Sequence, residues 1–201
     1  MSTFENAVSD VDFRDEDWFG DDLSGTTFTR CTFAEVDFSE VVATGARFID
    51  CVFGNCRFNA ATFTATAFVG CEFRRCSFFD ATLDGCKTTG SSFAECRMRP
   101  LRVVGGVWRG VDLRGANLAG ADLSDVDLRD SDLSLASLVG ASLRDARLDH
   151  AVLREADLSK ADLRGASFGA AVLDEARLTG ARISLGLAVL LAERTGAVVE
   201  V

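Results

Sequence analysis

The chain has 201 residues, 48 % of them apolar, which suffices for one domain with a sizeable core and excludes a disordered polymer. Its 31 acidic and 21 basic residues give a formal net charge of −10. That balance disfavours nucleic acid and anionic membrane as direct ligands and suits a partner with a basic surface.

The first ten residues, MSTFENAVSD, have no basic n-region and no apolar h-region, so no signal peptide is expected. The most apolar stretch, residues 183–191, is too short to span a bilayer, so no membrane association is expected either. Seven cysteines without an export signal point to reduced thiols and a cytoplasmic location.

From Phe13 to Ile183 an apolar residue recurs at every fifth position, without insertion or deletion. Of these 35 centres, thirteen are Phe and fifteen are Leu; only Ala43 and Thr88 are weak. Calling a centre i, position i−2 is small: it holds all seven cysteines and is Ala throughout from Ala136 to Ala181. Glu16 and Asp21, and later Leu101 and Gly106, depart from that rule. Thirteen of the eighteen glycines stand at i+2.

A helix repeats its faces every 3.6 residues and a strand every 2, so a period of five is neither. It predicts extended pieces over i−2 to i, pointing in, out and in, with corners at i+1 and i+2. Gly at i+2 fits the positive φ of a type II turn. Repeated corners wind the chain into a solenoid whose core is a column of stacked Phe and Leu.

The centres change from Phe to Leu along the chain, and the corners change from Cys, Thr and Val to Ala. Between the two halves, residues 96–110 read CRMRPLRVVGGVWRG and hold the only proline, Pro100. The register continues through them, so they predict a kink and not a domain boundary. The solenoid is therefore expected over residues 1–183.

Residues 184–201 form a separate tail. Ser184 is a plausible N-cap, Leu185 to Arg194 a short helix, and Gly196 a C′ glycine; residues 197–201 are β-prone. The helix is apolar over so much of its surface that it predicts a cap on the rod and a homodimer interface. The interface residues expected are Leu185, Leu187, Leu190, Leu191, Val198 and Val199.

Few residues point to chemistry. The cysteines, all at i−2, pack against the Phe column as small hydrophobes, so neither a disulfide nor a metal site is expected. His150, the only histidine, stands at an outward i+2 position, and Asp recurs at i−1 with the repeat itself. No active site, enzyme activity or cofactor is expected. The charge is more informative. The densest acidic group, Asp12, Asp15, Glu16, Asp17, Asp21 and Asp22, lies at the start and is the candidate partner-binding surface.

The pattern A(D/N)LXX resembles the pentapeptide-repeat family over about residues 11–183. That resemblance implies four pentapeptides per coil of a right-handed quadrilateral parallel β-helix, all-β apart from the tail helix and strand. About 8.75 coils then make a rod of roughly 42 Å. Within the family, DFRDED at 12–17, CRMRPL at 96–101 and the helix-then-strand tail are similar in content and order to a fluoroquinolone-resistance group. This second resemblance implies a homodimer that imitates B-form DNA, binds DNA gyrase, modulates its activity and protects it from fluoroquinolones. It also implies a proline-associated kink, to which Pro100 corresponds. A tail-to-tail dimer would carry about one negative charge per 4 Å, against one per roughly 1.7 Å for duplex DNA. The competing expectation is a scaffold rod that binds another protein partner.

Overall fold

The computed structural model describes residues 7–194 and 196–199. Every strand before Leu101–Val104 pairs in parallel with the segment 20 residues further on: Phe13 faces Phe33, Phe28 faces Phe48 and Ala43 faces Phe63. Isolated bridges carry the same offset to Asp162 and Arg182. Twenty residues are four five-residue units, so each coil has four sides. The chain is a parallel β-solenoid of between eight and nine coils, running from Ala7 to Arg182. It starts one unit earlier than the first clear Phe centre, because Ala7–Ser9 pairs with Thr27–Thr29 around Val8.

The corner residue sets the coil. Every fifth residue from Asp10 to Gly180 has a positive φ, with Pro100 the one exception. A left-handed φ costs a residue with a Cβ about 1 kcal/mol or more, yet 21 of these residues are not glycine. Stacking holds them there. The corner amide donates to a carbonyl of the next coil, as in Asp10 N to Thr29 O at 3.0 Å and Gly110 N to Arg129 O at 2.9 Å.

The units take two backbone forms. In the first, i−1 to i+1 are extended, as in Thr32–Ala34, Val52–Gly54 and Glu72–Arg74. The extended piece is thus one residue later than expected, because i−2 lies in the corner with its side chain inward. In the second form, i+1 and i+2 make a tight turn closed by the next i−2 amide, as in Ala116 N to Leu113 O at 3.0 Å. A positive φ at the third turn residue makes this a type II turn, as the glycines suggested. Three named sheets of the first form occupy three sides up to Val104; beyond it every unit is of the second form. The recurrent Asp at i−1 belongs to this second form. Its Oδ1 accepts the amide of i+1, as in Asp22 with Ser24 at 2.9 Å and Asp157 with Ser159 at 3.0 Å. Asp and Asn make such local bonds readily, which explains the A(D/N)L consensus without any catalytic role.

The core is the column of centres. Phe33, Phe53, Phe73 and Phe93 stack with ring centroids 4.7 Å apart and planes within 7°. All seven thiols are free, six of them buried and Cys96 half-buried. Each thiol approaches a carbonyl of the preceding coil, as in Cys86 Sγ to Phe63 O at 3.3 Å. Burial pushes the Cys86 thiol up to about 11. Among the described residues no cluster of His, Cys, Asp and Glu could hold a metal ion. No helix among them is long and apolar enough to cross a membrane.

The ladder opens on two adjacent sides of the rod, in the region where the sequence placed a kink. Pro100 cannot take the left-handed corner, since its ring fixes φ, and the Arg99–Pro100 peptide is cis. On two sides the coils stay bonded here: Trp108 N donates to Asp127 O at 2.8 Å and Asp112 N to Ser91 O at 2.9 Å. On the other two, the amides of Met98, Val103, Asn117 and Asp122 meet no acceptor among the described residues, although the repeat would supply one for each. A small cleft lined by Met98, Pro100, Leu101, Ala119 and Ala121 fills part of the gap. At the same level, Gly106 packs so closely that a Cβ would stand 2.5 Å from the Cys86 carbonyl oxygen.

The tail helix spans Leu185–Arg194, as expected. The Ser184 carbonyl accepts from Ala188 N at 3.1 Å, and Gly196 ends the helix with φ +85°. Two expectations need correction. Leu187 is buried in its own chain against the last coil, so it is spent on capping and leaves no surface for a partner. Residues 197–199 form no strand, which requires a neighbour to pair with; Glu200 and Val201 lie outside the described residues.

The opening on these two sides has a direct readout. The amides of Met98, Val103, Asn117 and Asp122 should exchange with solvent deuterium at least about tenfold faster than those of Phe78 and Trp108. Equal protection would show that the ladder closes in solution.

Candidate protein-interaction surface

The outward positions of the coil carry the charge, and their ion pairing is uneven. Ten ion pairs are formed among the described residues, and seven involve only residues beyond 108. There Asp127 meets Arg129 at 2.6 Å, Asp132 meets Arg114 at 3.0 Å and Asp157 meets Arg177 at 3.0 Å. The hydrogen bonds from Arg129 to Asp127 and from Arg164 to Asp162 hold both carboxyls below the usual carboxylate range. Such pairs offset the negative charge locally, so the C-terminal coils present a mixed surface.

The first coils differ. Asp12, Asp15, Asp17 and Asp22 are exposed and form no ion pair with a described residue. Glu16 is also exposed, although it stands at the i−2 corner, and its carboxylate accepts the Trp18 indole N–H at 3.0 Å. Asp17 and Asp22 are held by turn amides, from Phe19 at 3.0 Å and Ser24 at 2.9 Å. Hydrogen bonds from Ser24 hold Asp22 below the ordinary carboxylate value.

One member of the expected set does not belong. Asp21 is only 9 % exposed, because i−2 points inward as it does for the cysteines. It cannot present its carboxylate to a partner, so five of the six acidic candidates remain.

The structure adds residues from the next coil. Asp15, Glu16 and Asp17 line an open groove together with Glu35 and Asp37. The one basic residue on its wall is Arg57, which pairs with Asp37 at 2.8 Å. Asp17 and Asp37 are bridged across the ladder, and Asp15 and Glu35 occupy the same corner one coil apart. The signal for Glu35 and Asp37 was their spacing of 20 from Asp15 and Asp17, which places acids in columns once four units per coil are granted.

At the other end, Leu185 is 76 % and Val198 87 % exposed. Leu190, Leu191 and Val199 are half-buried, so the apolar surface of the tail is only partly used by its own rod. The acidic groove and the apolar tail lie at opposite ends of the molecule.

A filled solenoid of five-residue units, four to the coil, defines a repeat protein whose surface is its working part. The chain belongs to the pentapeptide-repeat proteins: the pentapeptide repeat region matches residues 26–103, and pentapeptide repeats match 104–134, 131–169 and 151–184. Among solved structures it is similar to a trypsin-treated form of QnrB1, a plasmid-mediated fluoroquinolone resistance protein. The TM-score is 0.69 at 20 % identity, covering 96 % of this chain and 99 % of that one. Full-length QnrB1 gives a TM-score of 0.52 at 21 % identity, over 95 % of this chain and 100 % of that one. At such identities the likeness is one of fold. No curated protein sequence matches the chain.

Proposed function

We propose that this chain is a DNA-mimicking rod that binds DNA gyrase, modulates its activity and protects it from fluoroquinolones. The observation that carries the reading is the acidic groove over the first coils, where Asp15, Glu16, Asp17 and Glu35 form no ion pair with a described residue and Asp37 alone has one, while Asp–Arg pairs concentrate beyond residue 108. A groove on the enzyme built for duplex DNA is basic, and unpaired carboxylates on a rigid rod steer toward it. The fold shared with QnrB1 supports the same reading, since that protein is a fluoroquinolone resistance protein. So does the resemblance of DFRDED, CRMRPL and the helical tail to the mycobacterial fluoroquinolone-resistance protein MfpA. No loop interrupts the rod between Phe13 and Ile183, because the five-residue register runs unbroken there.

The rod acts as a homodimer in this reading, joined at the tail through Leu185 and Val198 with Leu190, Leu191 and Val199 around them. An exposed Leu and Val beside a half-covered helix are costly to leave in water, at about 25 cal/mol per Å² of apolar surface. Joining two tails doubles the length and leaves both acidic ends free.

The charge reading is tested by reversing Asp12, Asp15, Asp17 and Asp22 to Lys. In a gyrase supercoiling assay with and without a quinolone, the reversed protein should lose inhibition and drug protection. Its association with gyrase at low salt should fall about tenfold or more, with an unchanged β-rich circular dichroism spectrum. Undiminished action would remove the acidic groove from the account. For the dimer, Leu185→Asp should give a folded monomer by light scattering; a dimer of wild-type stability would refute the tail interface.

A further inference from the structure

We propose that Phe19 is the apolar anchor of this acidic surface, inserting into a pocket within a basic groove of a protein partner. The proposal rests on the gyrase reading above and names the side chain that would hold the complex together.

Phe19 breaks the rule of the repeat. Its place is i+1, a turn position facing water, and it is 56 % exposed while Phe38 and the other central Phe side chains of neighbouring coils are fully buried. Among the described residues only one other Phe occupies such a place: Phe79, 40 % exposed. The Arg97 guanidinium lies 4.6 Å above the Phe79 ring and partly covers it. Among the described residues no ring or cation contact covers Phe19.

The backbone beneath Phe19 is fixed from three directions. Its amide donates to Asp17 Oδ1 at 3.0 Å. The Gly20 amide, at φ +68°, donates to Ser39 O at 2.9 Å, and Asp21 N closes the turn onto Trp18 O at 3.0 Å. The ring is therefore presented from a rigid support, and binding loses little backbone entropy. A single exposed aromatic surrounded by polar contacts is the arrangement in which a few residues supply most of an interface's energy.

The surroundings choose the occupant. Asp17 holds the amide of the turn that carries Phe19, Asp22 holds the next turn at Ser24, and neither carries a basic partner among the described residues. A phosphate backbone or an anionic lipid surface would be repelled, and so would a second acidic end of this chain. A protein surface that is basic around an apolar recess complements both features. Pure imitation of duplex DNA needs charge alone; an aromatic anchor distinguishes the rod from DNA within the same groove.

Charge and anchor separate kinetically, since charge acts mainly on association and a buried contact on dissociation. Phe19→Ser is a mild change, because Ser occupies the same turn position at Ser24, Ser39 and Ser124. Binding to immobilised gyrase would be followed by surface plasmon resonance for wild type, Phe19→Ser and Phe19→Trp. The Ser variant should dissociate about tenfold faster, with association rate, salt dependence and melting temperature unchanged. The Trp variant should restore slow dissociation. A dissociation rate for Phe19→Ser within about twofold of wild type would overturn the anchor while leaving the gyrase reading intact. Absence of wild-type binding would overturn the gyrase reading itself, and the partner named here with it.

Discussion

The constraint on which the molecule depends is the left-handed corner at every fifth residue. Most of these corners are not glycine, so the chain accepts local strain at position after position. What offsets it is the ladder that joins each coil to the next, with an amide of one coil meeting a carbonyl 19 residues on. Neither element is stable without the other: a corner alone is strained, and a three-residue strand alone is too short to persist. Together they fix a four-sided coil of 20 residues, and the aromatic column follows, since residues 20 apart must lie one above the other. Pro100 is the place where the corner cannot form, and there the ladder opens on two sides.

Because the corners and the ladder hold the fold, the outward positions are free to vary. In the C-terminal half this freedom is spent on Asp–Arg pairs and turn-closing carboxylates. At the N-terminal end it is spent on Asp12, Asp15, Asp17 and Asp22, which form no ion pair with a described residue, and on an exposed aromatic ring. The contrast between the two ends is hard to explain as a need of the repeat, which folds equally well with either surface.

Much of this was legible in the sequence. The period of five located the centres and the corner glycines, and the helix of Leu185–Arg194 was bounded correctly by Ser184 and Gly196. Other features were hidden for identifiable reasons. Which units form strands and which form tight turns is not written in the centres, because both forms bury the same side chain. The burial of Asp21 was implicit in its i−2 position but masked by the acidic residues around it. Leu187 could not be told from Leu185 because the helix is apolar on nearly every side; docking on the last coil decides which one is covered. Glu35 and Asp37 became part of the groove only when the coil length placed them beside Asp15 and Asp17.

The central claim is that this rod takes the place of duplex DNA on a basic protein groove. The most direct test is competition: fluorescently labelled protein bound to gyrase, titrated with linear duplex DNA at fixed salt and followed by anisotropy. The account predicts competitive displacement, with the protein's apparent Kd rising in proportion to the free DNA concentration. A complex that holds both the protein and the duplex, with anisotropy unchanged by DNA, would contradict it.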